Sequence, residues 1–194
     1  MKNLTLVLLA TSSLAIAQEA ETEKEWKVIA NPADISIENA AIAFLKKAEP
    51  LPKLQAKEKT EIKRLKDLVS GERLKLVPND LPKLKKVRSI QITQYGVFSY
   101  PYFNCRFKKT ERGIFFEKTT GSQRKSGLVF QDDDRSLVFL GASTVNNDPQ
   151  RQYSGFTRAK DKSHDSAGLI IKRGKTYLAI FPKKNNNWEI YEFK

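Results

Sequence analysis

The chain has 194 residues, of which 40% are hydrophobic and 10% aromatic, so it can bury the core of one globular domain. It contains one histidine and one cysteine, which excludes a Cys/His zinc site and a disulfide within the chain. The formal net charge of +13 favours either a role in keeping the protein soluble or anionic partners. Much of the excess lies in residues 89–194, which hold 18 basic and 10 acidic side chains.

The first 17 residues have the features of a secretory signal peptide. Lys2 gives a basic start, residues 4–10 form an apolar run, and Ala15-Ile16-Ala17 is a small-residue cleavage site. We expect cleavage after Ala17, so that the mature chain begins at Gln18 and acts in the periplasm or outside the cell. Because no later stretch has the apolar length of a membrane span, we expect no transmembrane segment.

Residues 18–86 predict a helical segment followed by a proline-rich connection. Asn31-Pro32-Ala33-Asp34 combines an N-cap, a proline at the first helical position and an acidic first turn. An apolar stripe that begins at Ile35 and ends near Lys47 completes the first predicted helix.

A second helix is predicted from Glu58 to Val69, and Gly71 has the position of its C-terminal cap. Pro78 and Pro82 then place residues 72–86 in the connection, because proline ends regular structure.

From residue 87 to residue 194 the spacing of apolar residues changes to a period of two, which predicts strands. Eight short strands joined mostly by short turns indicate a mainly β (α+β) protein, whose antiparallel strands form a small barrel or a sandwich. Closure into a barrel would remove exposed strand edges. The predicted strands are Arg88–Thr93, Tyr102–Phe107, Gly113–Thr119, Gly127–Gln131, Ser136–Gly141, Ala167–Lys172, Thr176–Phe181 and Trp188–Phe193.

Alternation within these strands also predicts the core. Cys105 alternates with Phe103 and Phe107 on one face of its predicted strand, so we expect a buried, unreactive thiol. His164 lies in a polar stretch, so we expect an exposed loop histidine without a catalytic role. The core candidates are Phe103, Cys105, Phe107, Leu128, Phe130, Phe139, Ile171, Ile180 and Ile190.

The stretch from Thr120 to Gly141 contains glycine, serine and three consecutive aspartates, and we interpret it as structural. Residues 128–130 and 137–139 predict the two arms of a hairpin, with residues 132–135 as its turn, since aspartate bonds nearby backbone amides. A calcium loop would need further oxygen ligands and a glycine bend. Residues 121–124 lack the lysine of a phosphate loop and open no helix, so we expect a strand connection.

Several of these stretches together resemble a known family. They are Tyr100–Arg106, Thr120–Arg124, Gly127–Phe130, Asp132–Arg135 and Val138–Gly141, with Trp26, residues 32–34, Tyr153 and residues 167–168 further away. This pattern is similar to the bacterial domain of unknown function 4893 over nearly the whole mature chain. The resemblance implies an exported bacterial protein with no assigned activity. The motif residues carried over are Gly121, Ser122, Gln123, Asp134, Arg135 and Asp165.

This chain departs from the family's pattern at one position. Relatives often have a second cysteine where this chain has Ser89. The resemblance therefore implies an interstrand disulfide in those relatives that this chain cannot form.

The connection from Ala142 to Ser166 has the strongest claim to a binding function. A connection of this length is unusual in a compact domain, and here it places aromatic residues among basic ones. Such a mixture can stack on a sugar or clamp an anion. The alternative is a solvated loop whose aromatic rings pack back onto the domain. The candidate ligand-binding residues are Arg124, Arg151, Tyr153, Phe156, Arg158 and Lys160.

Three classes of function remain open. The first is a non-catalytic module that binds an anionic glycan, lipopolysaccharide, lipid head groups or a small ligand. The second is an inhibitor or interaction protein for another exported, acidic protein. The third is a hydrolase, in which Glu117, Asp134 and Asp165 would converge as acid and base. We expect no nucleic-acid partner for an exported chain, and we expect no cofactor and no metal.

Overall fold

The computed structural model describes residues 24–47, 56–69, 71–146 and 148–194. The predicted signal peptide lies outside these residues, and its cleavage stays a prediction. None of the helices in the described ranges is long and apolar enough to cross a membrane.

The strands form a closed antiparallel barrel of eight strands with one extra strand, as the sequence predicted in its barrel alternative. The first and last strands pair from Val87–Phe193 to Ile92–Trp188, and this pairing closes the barrel. The strands are β1 (Lys86–Thr93), β2 (Gly96–Ser99), β3 (Phe103–Thr110), β4 (Gly113–Lys118), β5 (Gln123–Gln131), β6 (Ser136–Val145), β7 (Asp165–Arg173), β8 (Thr176–Pro182) and β9 (Trp188–Phe193).

The extra strand β2 continues the line of β3 along one edge of β1. Ile90 pairs with Ser99, yet Val87, three residues earlier, pairs with Phe103 instead of Tyr102. One additional residue therefore lies between β2 and β3, which is the definition of a β-bulge. The bulge falls at residues 100–102 and bends the chain at the barrel's rim.

Aromatic rings fill the barrel interior. The Phe116 ring of β4 lies 5.4 Å from the Phe193 ring of β9 and 5.8 Å from the Phe139 ring of β6, so rings from non-adjacent strands meet across the barrel. A 3₁₀ helix, Pro78–Lys83, adds the buried Leu81 to this cluster and closes the end at which β9 finishes. The lumen is therefore packed core and not a ligand cavity.

Helices cover one outer face of the barrel. They are α1 (Glu25–Ile29), α2 (Ile37–Lys47) and α3 (Ala56–Val69), and a short α4 (Ser154–Thr157) lies in the β6–β7 connection. Trp26 of α1 and Ala41 of α2 are fully buried in a second apolar cluster with outward residues of the strands. Burial on both faces explains the uninterrupted apolar runs in the middle of these strands, residues 137–142 of β6 and 167–171 of β7.

Most sequence predictions of elements and core residues are confirmed, with local corrections. Eight of the nine core candidates are buried, whereas Phe103 is only half-buried. Ile35 is 43% exposed and precedes α2, because residues 32–36 form turns before the helix begins. The predicted 121–124 connection is wrong in its second half, since Gln123 and Arg124 start β5.

The connection between β6 and β7 is shorter than predicted because both strands extend into it. It contains α4, which was not predicted. The other missed elements are α1, β2 and the 3₁₀ helix.

Candidate functional site

Asp165 joins the β6–β7 connection to the N-terminal segment. Its carboxylate accepts hydrogen bonds from the Ser154 amide (2.9 Å), the Ser154 hydroxyl (2.5 Å) and the Asn31 side-chain amide (2.6 Å). A half-buried carboxylate with three donors holds a loop in one conformation. Asp165 is therefore a structural residue that fixes α4.

Tyr153 fixes the same region from the other side. Its hydroxyl donates to the Asp34 carboxylate (2.5 Å) and accepts from the Asn31 amide (2.8 Å), and the side chain is fully buried. Burial and the Asp34 carboxylate raise the pKa of Tyr153 well above its usual value. Burial, together with nearby Asp165, also raises the pKa of Asp34. The phenol is thus a neutral donor, positioned by Asn31 and Asp34.

A groove of about 590 Å³ lies beside this network, on the outer face of β4 and β5. Its apolar lining includes Phe115, Leu128 and Phe156, and the Tyr153 ring forms part of one wall. Phe156 packs on Phe130 and Tyr153, with ring centroids 6.3 and 5.7 Å apart. The groove walls are therefore held in place by core contacts.

Two exposed guanidinium groups, Arg112 and Arg151, border the groove. Arg112 comes from the β3–β4 turn and Arg151 from the β6–β7 connection, so two separate segments supply them. Gln150 donates to Glu117 of β4, which attaches the connection to the barrel. Glu117 in turn accepts from Arg106 (2.5 Å). The groove lining also includes the exposed Glu111, so two cations and one carboxylate border the apolar floor.

The structure divides the predicted ligand-binding residues into two groups. Arg151, Tyr153 and Phe156 line the groove together. Arg158 and Lys160 are exposed further along the connection, outside the groove lining. Arg124 lies at another end of the barrel, where its Nε donates to the Gly121 carbonyl (2.9 Å).

The Asp132–Arg135 stretch forms the predicted hairpin turn. The Asp133 carboxylate accepts from the Arg135 amide (2.8 Å) and from the Ser136 hydroxyl (2.6 Å). Asp134 is exposed, and its carbonyl accepts from the Leu76 amide (2.9 Å). Asp132 accepts from the Trp26 indole (3.0 Å), so this turn also anchors α1.

Three carboxylates, Glu38, Asp132 and Asp133, lie within 4.8 Å of one another. The Lys24 ammonium group contacts Asp132 at 2.6 Å and Glu38 at 3.5 Å. A cation supplied by the chain therefore already contacts two of the three carboxylates.

Two of the carboxylates considered for hydrolysis, Glu117 and Asp165, do not form a pair. One row of directly paired residues runs across strands β4 to β7 and consists of Glu117, Ser126, Ala142 and Asp165. Three strand spacings separate Glu117 from Asp165, about 14 Å at ~4.8 Å per strand. This exceeds the roughly 5–9.5 Å that glycosidases use. Burial raises the pKa of Cys105 to about 12, as expected of an unreactive thiol.

The barrel end opposite the 3₁₀ helix contains buried charges that sequence reasoning missed. The Lys125 ammonium lies 2.9 Å from the Glu189 carboxylate, and both side chains are at most 5% exposed. Glu189 also contacts Lys183 (3.0 Å) and accepts from the Ser89 hydroxyl (2.7 Å). Extending the alternation of β5 upstream from Val129 would have placed Lys125 on the inner face.

Burial shifts the pKa values of these groups in opposite directions. Burial lowers the pKa of Lys125 to about 8, and the Glu189 carboxylate limits that shift. Burial acts to raise the pKa of Glu189, but the ammonium groups of Lys125 and Lys183 lower it to about 2. The pair is therefore charged at neutral pH.

The chain is thus a closed antiparallel barrel of eight strands with one extra strand, a packed lumen, helices on one outer face and an external groove. The chain belongs to the family described as Domain of unknown function (DUF4893), which matches residues 26–192. The match begins at Trp26, so the family unit includes the N-terminal helices as well as the barrel. Comparisons with curated proteins and with solved structures found no match.

Proposed function

We propose that this protein is a non-catalytic binding module whose external groove holds an anionic amphiphile of the cell envelope. The observation that carries the proposal is the combination of an apolar floor with Arg112 and Arg151 at its border. An acyl or other apolar group fits the floor, and an acidic head group fits the guanidinium pair.

The fixed position of the groove walls supports this proposal. Tyr153 is held by Asp34 and Asn31, and α4 is held by Asp165, so few side chains must be ordered when a ligand enters. Preorganised walls lower the entropy cost of binding. The net charge of +13 also favours an anionic ligand, through long-range attraction.

We propose the periplasm or the exterior of the cell as the place of action, on the basis of the predicted signal peptide at residues 1–17. Anionic lipids, lipopolysaccharide and fatty acids all combine an apolar part with acidic groups. The proposal concerns this shared chemistry.

The test is calorimetric titration of octanoate and of 1-octanol, which share an apolar chain and differ in charge. Octanoate is expected to bind at least tenfold more tightly than 1-octanol, and its affinity is expected to fall as salt screens the arginines. The double variant Arg112→Ala/Arg151→Ala is expected to lose at least tenfold in octanoate affinity.

The matched control is Arg158→Ala/Lys160→Ala, which removes the same number of exposed cations from the same surface region but outside the groove. Its octanoate affinity is expected to equal that of the wild type. If both double variants lose octanoate affinity equally, the anion is attracted by the overall positive charge of the surface and does not bind specifically in the groove. Absence of octanoate binding would favour the alternative of an interaction protein for an acidic partner.

A further inference from the structure

The mouth of the barrel, opposite the 3₁₀ helix, has more positive than negative charge. The Glu189 carboxylate contacts the ammonium groups of Lys125 (2.9 Å) and Lys183 (3.0 Å), and it is the one carboxylate that contacts them in the described part of the chain. Lys118 lies near enough to Glu189 to interact with it electrostatically. Lys118 is 4% exposed and donates to the Gln123 carbonyl (2.6 Å). Three ammonium groups against one carboxylate leave an excess of two positive charges. Burial lowers the pKa of Lys118, and the nearby Arg124 guanidinium lowers it further.

The family motif at residues 120–124 forms the rim of this mouth. Gly121 has φ +89°, and a Cβ there would lie 3.0 Å from the Phe103 ring and 3.2 Å from the Lys118 Nζ. The glycine thus lets the turn approach the lysine closely. Gln123 accepts a hydrogen bond from the Gln91 side chain (3.1 Å) across the rim. Ser122 and Gln123 are exposed there and present polar groups to solvent.

Two exposed aromatic rings stand beside the same rim. Ser99 of β2 donates to Glu61 of α3 on the outer face (2.5 Å), so its neighbours Phe98 and Tyr100 lie on the inner face. Phe98 is 45% exposed and Tyr100 is 41% exposed, because β2 extends beyond the body of the barrel. Exposed aromatic rings near amide groups are suited to the apolar face of a sugar ring.

We propose that the barrel mouth binds an acidic sugar, whose carboxylate pairs with Lys183 and whose ring rests on Phe98 and Tyr100. Lys183 is the accessible member of the lysine cluster, at 39% side-chain exposure. A bound carboxylate would reduce the excess of positive charge in the lysine cluster from two to one. This site is separate from the groove, and it gives the Gly121–Gln123 motif a role that the groove does not provide.

The experiment is titration of D-glucuronate, D-glucose and acetate into ¹⁵N-labelled protein, followed by NMR. Glucuronate is expected to shift the amides of Phe98, Gln123 and Lys183 and to bind at least tenfold more tightly than glucose or acetate. If glucuronate binds no more tightly than acetate, the mouth holds an adventitious ion only, and the proposal is overturned.

Two pairs of variants separate the site from general surface effects. Lys183→Ala is expected to weaken glucuronate binding at least fivefold, whereas Lys184→Ala, at an exposed neighbouring lysine, is expected to leave it unchanged. Phe98→Ser is expected to weaken binding, whereas Tyr95→Ser, at the 79% exposed turn before β2, is not. Equal effects within either pair would overturn the proposal.

Discussion

Removal of the Lys125 ammonium group tests how the barrel tolerates charge in its interior. In Lys125→Met, the Glu189 carboxylate stays buried and loses its 2.9 Å partner. The lysine also lies 5.1 Å from the Phe181 ring and 5.4 Å from the Tyr191 ring, and the methionine keeps the apolar part of these contacts. The variant therefore isolates the loss of charge.

The expected cost is about 3 kcal/mol in the free energy of unfolding. Breaking a buried ion pair on one side costs about 3–5 kcal/mol, because an uncompensated charge remains. The lower end of that range applies here, since Lys183 and Ser89 still contact Glu189. The double variant Lys125→Met/Glu189→Gln is expected to be more stable than Lys125→Met alone, because it leaves no buried charge unpaired.

Urea unfolding followed by tryptophan fluorescence measures these differences, since Trp26 is fully buried and Trp188 stacks on Phe44 at 4.4 Å. Lys183→Met is the control, because it breaks a half-exposed contact to the same carboxylate and is expected to cost at most about 1 kcal/mol. A Lys125→Met cost no larger than that of the control would refute the reasoning. So would a double variant less stable than Lys125→Met.

Three further predictions concern pH, packing and processing. The pKa of Glu189 is about 2 in the fold against an ordinary value of 4.5, so its contribution to stability is fully present above pH 4.5 and is lost as the pH falls towards 2. This difference of about 2.5 pKa units corresponds to roughly 3 kcal/mol at most, and acid titration of Glu189→Gln should show a shallower loss of stability than wild type. Gly168→Ala places a Cβ 2.4 Å from the Phe181 ring and is expected to lower stability by about 2 kcal/mol, so an unchanged melting temperature would contradict the packing described. The exported protein is expected to begin at Gln18, and an intact mass that retains residues 1–17 would disprove cleavage there.

The sequence was sufficient for elements with strong periodicity. The eight predicted strands and the Asp132–Arg135 turn are all present, because alternation and turn chemistry are local signals. Closure of the barrel was not predictable, since it depends on pairing between β1 and β9 across about a hundred residues of chain. Strand β2 was missed because four residues give too short a pattern.

The candidate sites were only partly predictable, because they combine residues that are far apart in the sequence. The mixture of Arg151, Tyr153 and Phe156 in one connection indicated the groove, but Arg112 comes from the distant β3–β4 turn. Tyr153 and Asp165 were expected to be near function, and their hydrogen bonds show that they hold the groove wall. The buried Lys125 was missed because lysine ordinarily marks an exposed position.

The most direct test of the central claim is to locate bound octanoate by NMR, using ¹⁵N-labelled wild-type protein at low salt. Binding in the groove predicts the largest amide shifts at Phe115, Leu128 and Phe156, with smaller shifts elsewhere on the barrel. Shifts confined to residues outside the groove, or spread evenly over the basic surface, would contradict the proposed function.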